Sequence, residues 1–126
     1  MKSKLLIIGA SGHGKVVADI ALKMKKWNTI AFLDDDENKK SSLGLNVLGP
    51  TKNMLTYINE WDIFVAIGDN AIRQQIYERL EKMGASIPVL IHPTAVIGEE
   101  VEIGPGTVLM AGTIINCSTK IGKACI

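Results

Sequence analysis

The chain has 126 residues, 47% of them apolar, with fourteen Lys and Arg against thirteen Asp and Glu, a formal charge of +1. That balance predicts a packed protein rather than a disordered one. With no basic run longer than Lys25-Lys26 or Lys39-Lys40, it argues against nucleic acid and against an anionic membrane as partners.

In chain order, Leu5 to Ile8 is apolar at every residue. That suits a parallel strand covered on both faces. The run is too short for a signal peptide or a membrane span, so the expected compartment is the cytoplasm. A glycine-rich loop follows, Gly9 to Gly14. Lys15 to Lys26 reads as a helix, with Val16, Val17, Ile20, Ala21 and Met24 inward and Lys23, Lys25 and Lys26 at its C-terminal end. Thr29 to Leu33 closes a βαβ unit, and Asp34, Asp35 and Asp36 end it. Leu45 to Leu48 is a short strand broken by Gly49-Pro50, and Lys52 to Asn59 a helix. Asp62 to Gly68 is a further strand. Asn70 is expected to cap a helix running to Met83, with Gly84 ending it. Ile87 to Ile91 is the last strand. Strands alternating with helices predict an α/β, Rossmann-like parallel sheet of four or five strands over residues 1–88.

The last third follows another rule. Ile91, Ile97, Ile103, Leu109, Ile115 and Ile121 fall six apart; Ala95, Val101, Thr107, Thr113 and Thr119 stand two places before those from Ile97 on, and Cys125 continues that row. Neither a helix of 3.6 residues per turn nor one long strand makes every sixth residue equivalent. Short strands wrapped round a common axis do, so residues 89–126 read as the first coils of a hexapeptide-repeat parallel β-helix. Gly98, Gly104, Met110, Asn116 and Gly122, one place after each plug, are the expected corners. Cys117 and Cys125 read as two reduced thiols, Cys125 inward and Cys117 near a turn. No histidine pair or carboxylate cluster has metal-ligand spacing, so no metal site is expected.

In open parallel sheets ligands sit beyond the carboxyl ends of the strands, and three stretches converge there. The candidates on the first are Gly9, Ser11, Gly12, His13 and Gly14. Glycines admit a ligand, and a helix N-terminus favours phosphate. The spacing is G-x-x-G-x-G, not the dinucleotide fingerprint, and a tight ligand-free turn fits it as well. His13 is suited to donating to a phosphate or sugar, or to a structural role. The second is Asp34 and Asp35, placed for a ribose hydroxyl or a base N–H, or else for a cap or solvated turn. The third is Gly68 and Asn70 with Arg73, a cation in a first helical turn that needs a diphosphate or a partner carboxylate to justify it. His92 suits hydrogen bonding to its turn better than catalysis.

With Gly9 to Gly14, Phe32 to Asp35, Ala66 to Asn70 with Arg73, and Ile91 to Ala95 leading into the hexads, the chain resembles one family. This is the bacterial sugar O-/N-acyltransferases, including the sialic acid O-acetyltransferases and the UDP-4-amino-sugar (bacillosamine-pathway) N-acetyltransferases. The resemblance implies an acetyl-CoA-dependent acetyltransferase acting on a nucleotide-activated amino sugar or sialic acid. It also implies an acceptor held by the N-terminal domain, a left-handed β-helix, and a homotrimer with acetyl-CoA between neighbours. The family's catalytic histidine lies on a later coil, matched by neither His13 nor His92. The chain therefore reads as an N-terminal portion with no catalytic residue of its own, most of the acetyl-CoA site missing, and no acetyl transfer by itself. Two other readings stand beside it: an NAD(P)-binding oxidoreductase-like domain, which the hexads and the glycine spacing oppose, and a non-catalytic sugar-nucleotide binding module.

Overall fold

A computed structural model describes residues 2–123. Lys4–Ile8 (β1) is the centre of a parallel sheet, flanked by Thr29–Leu33 (β2) and Trp61–Val65 (β5), in the order β2-β1-β5. The registers are Lys4 to Thr29 on one side and Lys4 to Trp61 on the other. Every residue from Leu5 to Ile8 is buried, as a strand covered on both faces requires. Alternation then splits the core. Leu5 and Ile7 face the helix Gly12–Met24 (α1), with Val17, Ala18, Ile20 and Ala21. Leu6 and Ile8 face the 3-10 helix Thr51–Tyr57 and the helix Asn70–Lys82 (α2), through Met54 and Leu80.

Several expectations change. The sheet has three paired strands, and the expected outer ones reduce to single parallel bridges, Phe32 to Val47 and Asp62 to Ser86. At one edge, Leu45–Asn46 (β4) folds back on Ser41–Ser42 (β3) as an antiparallel pair. At the other, Pro88 has no N–H to offer a ladder, and Leu90–Ile91 (β6) pairs elsewhere. The segment after Pro50 is a 3-10 helix, not an α-helix. α1 begins at Gly12 rather than Lys15, and Val16 is 45% exposed, not inward. Asp69, not Asn70, caps α2, its Oδ1 accepting the Ile72 N–H at 2.9 Å.

After β6 come Val96–Ile97 (β7), Glu102–Ile103 (β8), Val108–Leu109 (β9), Ile114–Ile115 (β10) and Lys120–Ile121 (β11). They pair in parallel as β6 with β9, β7 with β10 and β8 with β11, each partner eighteen residues on, as in Leu90 to Val108. Positive φ recurs every six residues, at Glu100, Gly106, Gly112 and Ser118. The corners therefore lie three places after each plug, not one. Gly98 and Gly104 meet a different demand. A Cβ on Gly98 would lie 2.4 Å from the Cys117 nitrogen, and one on Gly104 2.6 Å from the Gly122 carbonyl carbon. Stacked backbones approach too closely there for a side chain. Cys117 is an exposed free thiol beside the Ser118 turn, while Cys125 lies outside the described residues.

The chain runs from sheet to hexads without a break in the core. Leu90 and Val108 belong to the same buried cluster as Leu5 and α1. Lys123 reaches back to α2, its Nζ donating to Glu81 Oε2 at 3.0 Å, and the same oxygen accepts the Tyr77 hydroxyl at 3.2 Å. Burial, then the neighbouring Glu81 charge, pushes the Tyr77 phenol up to about 12. No helix among the described residues is long and apolar enough to cross a membrane.

Candidate functional site

The carboxyl ends of β1, β2 and β5 open onto a cleft of about 250 Å³. Its walls include Gly9, Ser11, His13, Asp34, Asp35 and Gly68, six of the ten residues singled out from the sequence, together with Thr51, Ala66 and Ile67. Gly12, Gly14, Asn70 and Arg73 are not among its walls.

Gly9 makes the turn out of β1 at φ +103° and donates its N–H to the Leu33 carbonyl at 2.8 Å. Behind it stands Gly14, where a Cβ would fall 1.9 Å from the Gly9 carbonyl oxygen. Gly14 is thus a close-packing glycine between α1 and β1. A Cβ on Gly12 or Gly68 would meet nothing within 4 Å. Packing explains neither, and Gly68 leaves room on the cleft side.

The first i to i−4 bond of α1 is Lys15 N–H to the Ser11 carbonyl at 2.9 Å. The N–H groups of Gly12 to Gly14 have no acceptor within the helix, and the Ser11 side chain caps none of them. The sequence-based start at Lys15 misses this, because glycines do not propagate a helical pattern.

Asp34 is a loop clamp. Its Oδ2 accepts the Ala10 N–H at 2.8 Å and its Oδ1 the Asp36 N–H at 2.8 Å. The carboxylate therefore ties the glycine loop to the end of β2, with outward lone pairs left on both oxygens. Asp35 Oδ1 accepts the Thr51 N–H at 2.8 Å and anchors the 3-10 helix. Thr51, which no motif marks, enters the cleft through this bond.

Arg73 owes its place to the turn it holds. Its Nη1 donates to the carbonyls of Ile67 and Gly68 at 3.0 and 3.3 Å, and its Nη2 to Asn70 Oδ1 at 2.6 Å. Backbone carbonyls thus supply the reason that the sequence sought in a diphosphate or a carboxylate. His92 behaves as expected, its Nδ1 accepting the Thr94 N–H at 3.0 Å.

His13 Nε2 is buried and has no hydrogen-bond partner among the described residues. A buried, unsatisfied polar atom is costly and calls for an explanation. Burial, and then the nearby Arg73 cation, lower the His13 pKa from its ordinary 6.5. An imidazole lowered in the folded state binds fewer protons than in the unfolded chain. Its contribution to stability is therefore present above 6.5 and is lost as pH falls below that value toward the lower folded pKa. A proton NMR titration is expected to give a His13 midpoint below 6.5 that rises in Arg73→Gln. A midpoint at or above 6.5 contradicts this environment.

The class of protein is a Rossmann-like domain with a glycine loop, a helix N-terminus and a carboxylate pair round one cleft, the place where open parallel sheets hold phosphate-bearing ligands. The chain belongs to the family described as PglD N-terminal domain, which matches residues 4–80. It is 35% identical over 109 residues to UDP-N-acetylbacillosamine N-acetyltransferase of Bacillus subtilis, covering 83% of this chain and 50% of that protein. Among solved structures it is similar to the acetyltransferase domain of PglB from Neisseria gonorrhoeae in complex with acetyl coenzyme A. There the TM-score is 0.81 at 37% identity, over 99% of this chain and 67% of that one. It is also similar to a mutant perosamine N-acetyltransferase from Caulobacter crescentus in complex with CoA and GDP-perosamine. The TM-score is 0.87 at 33% identity, over 96% of this chain and 58% of the other. The chain thus spans about half the length of the curated Bacillus subtilis relative.

Proposed function

We propose that this chain holds the nucleotide-linked amino sugar of an acetyl-CoA-dependent sugar N-acetyltransferase. The observation that carries the reading is His13 Nε2, an orphaned nitrogen on a cleft at the uncapped N-terminus of α1. A phosphate oxygen there satisfies the imidazole N–H and the free first-turn N–H groups together. Gly9, Ser11, Gly12 and His13 form the phosphate side of the site, and Gly14 sets it by packing α1 against the Gly9 turn. Asp34 and Asp35 lie on the ribose and base side and Gly68 on the far wall, with Asn70 and Arg73 behind it, holding its turn. The relatives' names, bacillosamine and perosamine, favour an amine acceptor over the hydroxyl of sialic acid. In the reaction the amine attacks the thioester carbonyl: a C–N bond forms, the C–S bond breaks, and the amine must lose a proton.

Residues 1–88 are the acceptor domain in this reading, and residues 89–126 begin a left-handed parallel β-helix. The eighteen-residue register and the six-residue recurrence of positive φ support the coil, and the family resemblance supports its hand. Val96 and Ile114, paired and 60% and 71% exposed, support a homotrimer contact along that coil, with acetyl-CoA held between subunits. The cytoplasm supplies both acetyl-CoA and nucleotide sugars.

Calorimetric titration of the chain with UDP, GDP, a UDP-amino sugar, CMP-sialic acid and NADH tests the reading. Saturable binding of a UDP- or GDP-linked ligand is expected, with a rise in the His13 midpoint on binding, since a phosphate anion favours the imidazolium. Binding of NADH alone would replace the acetyltransferase reading with an oxidoreductase one. CMP-sialic acid binding alone would move the acceptor to the sialic acid branch.

A further inference from the structure

A second cleft, of about 310 Å³, lies between the 3-10 helix and α2. Thr51, Lys52, Met54, Gln75, Ile76 and Arg79 line it. Met54, 5% exposed, and the half-buried Ile76 supply an apolar floor. Ile72, Gln75, Ile76 and Arg79 share one face of α2, at i, i+3, i+4 and i+7. Ile72, 47% exposed, stands on that face outside the cleft's walls. The walls carry two cations and no carboxylate. Neither Lys52 nor Arg79 forms an ion pair among the described residues.

Surface cations usually sit among acidic neighbours, and this chain has nearly equal numbers of each sign. Lys52 also borders an adjoining cleft that carries Asp34, Asp35, Asp36 and Glu37, but within this one only the two cations stand over the concave apolar floor. The guanidinium of Arg79 offers a planar fork and Lys52 a mobile point charge, the pair of donors that grips a carboxylate or phosphate. The floor rewards a ligand that also brings apolar surface. The volume is at the small end of the range for small-molecule sites, which favours a compact ligand over a protein segment.

We infer that this cleft binds a small amphipathic anion, a carboxylate or phosphate carried on an apolar body of a few carbons. The site is separate from the nucleotide cleft and stands whatever that cleft binds. The two share Thr51, so occupancy is read at Gln75, Ile76 and Arg79, which line only this one.

The test follows amide shifts in the 15N-labelled chain on titration with hexanoate, phenyl phosphate and inorganic phosphate. Hexanoate and phenyl phosphate are expected to give saturable shifts centred on Gln75 to Arg79. Inorganic phosphate should bind there more weakly, because it lacks the apolar body. In Arg79→Gln with Lys52→Gln the affinity should fall by about tenfold or more, the loss of a charge-assisted contact. Both positions are exposed, so an unchanged thermal midpoint will show that the fold is kept. Shifts that do not saturate, that fall only at Gly12 to Gly14, or that survive the double substitution overturn the proposal.

Discussion

Gly14→Ala is expected to abolish nucleotide-sugar binding and to lower stability by about 3 kcal/mol, as overpacking at a site that cannot relax does. The added methyl would lie 1.9 Å from the Gly9 carbonyl oxygen and 2.8 Å from its carbon. These are backbone atoms with little freedom to move. Gly9 is held by its bond to Leu33, and its own space is limited, since a Cβ there would come within 2.8 Å of the Ala66 carbonyl oxygen. Either α1 lifts off β1 or the glycine loop shifts, and both displace the first-turn N–H groups from the cleft. Gly68→Ala is the contrast. A Cβ there meets nothing within 4 Å on the protein side, yet Gly68 lines the cleft. Its unfolding free energy should stay within about 0.5 kcal/mol of the parent, while affinity for the nucleotide ligand drops roughly tenfold, about 1.4 kcal/mol. Urea unfolding and calorimetry on both variants separate the effects. A stable Gly14→Ala would refute the packing argument. A Gly68→Ala that binds normally would show that the ligand lies elsewhere.

Asp62→Ala is expected to cost about 4 kcal/mol, since it strands several buried donors at once. Asp62 is 1% exposed. Its Oδ2 accepts the Trp27 Nε1–H at 2.9 Å and the Lys2 N–H at 3.3 Å, and its Oδ1 the Ser86 hydroxyl at 2.6 Å. One carboxylate thus joins the start of β1, the loop after α1, β5 and the bridge at the sheet's edge. Asp62→Asn keeps an acceptor for some of these donors and should lose roughly half as much. Chemical denaturation reads both. Losses below about 1 kcal/mol for the alanine variant would mean that water replaces the carboxylate without penalty.

Nothing in the sequence marks Asp62 as such a junction. It stands before an apolar run and reads as a strand start, because its three partners lie 24 to 60 residues away. The same holds for the second cleft. Lys52 sits in a short segment after Gly49-Pro50 and Arg79 in a polar helix, and neither is remarkable until the 3-10 helix packs beside α2. Within the candidate site the legible residues were those whose type is constrained locally. Glycines between a strand and a helix, and carboxylates at a strand end, announce themselves by position. Thr51 does not, since it enters through a backbone N–H that any residue but proline carries.

By itself, the sequence determined the elements whose signal is periodic or local: the apolar runs Leu5 to Ile8 in β1 and Ile63 to Val65 in β5, the βαβ unit, the cleft at the carboxyl ends of the strands, and the six-residue rhythm of the last third. Periodicity survives folding because it states which side of the backbone each residue occupies. Tertiary structure alone decided how far the sheet extends, which residue caps α2, where the hexad corners fall and which glycines are packing rather than binding glycines. Gly14 and Gly68 look equivalent in the chain. What separates them is the Gly9 carbonyl, present at 1.9 Å in one case and absent in the other. A residue's space is set by neighbours distant along the chain, and only the fold brings those neighbours into place.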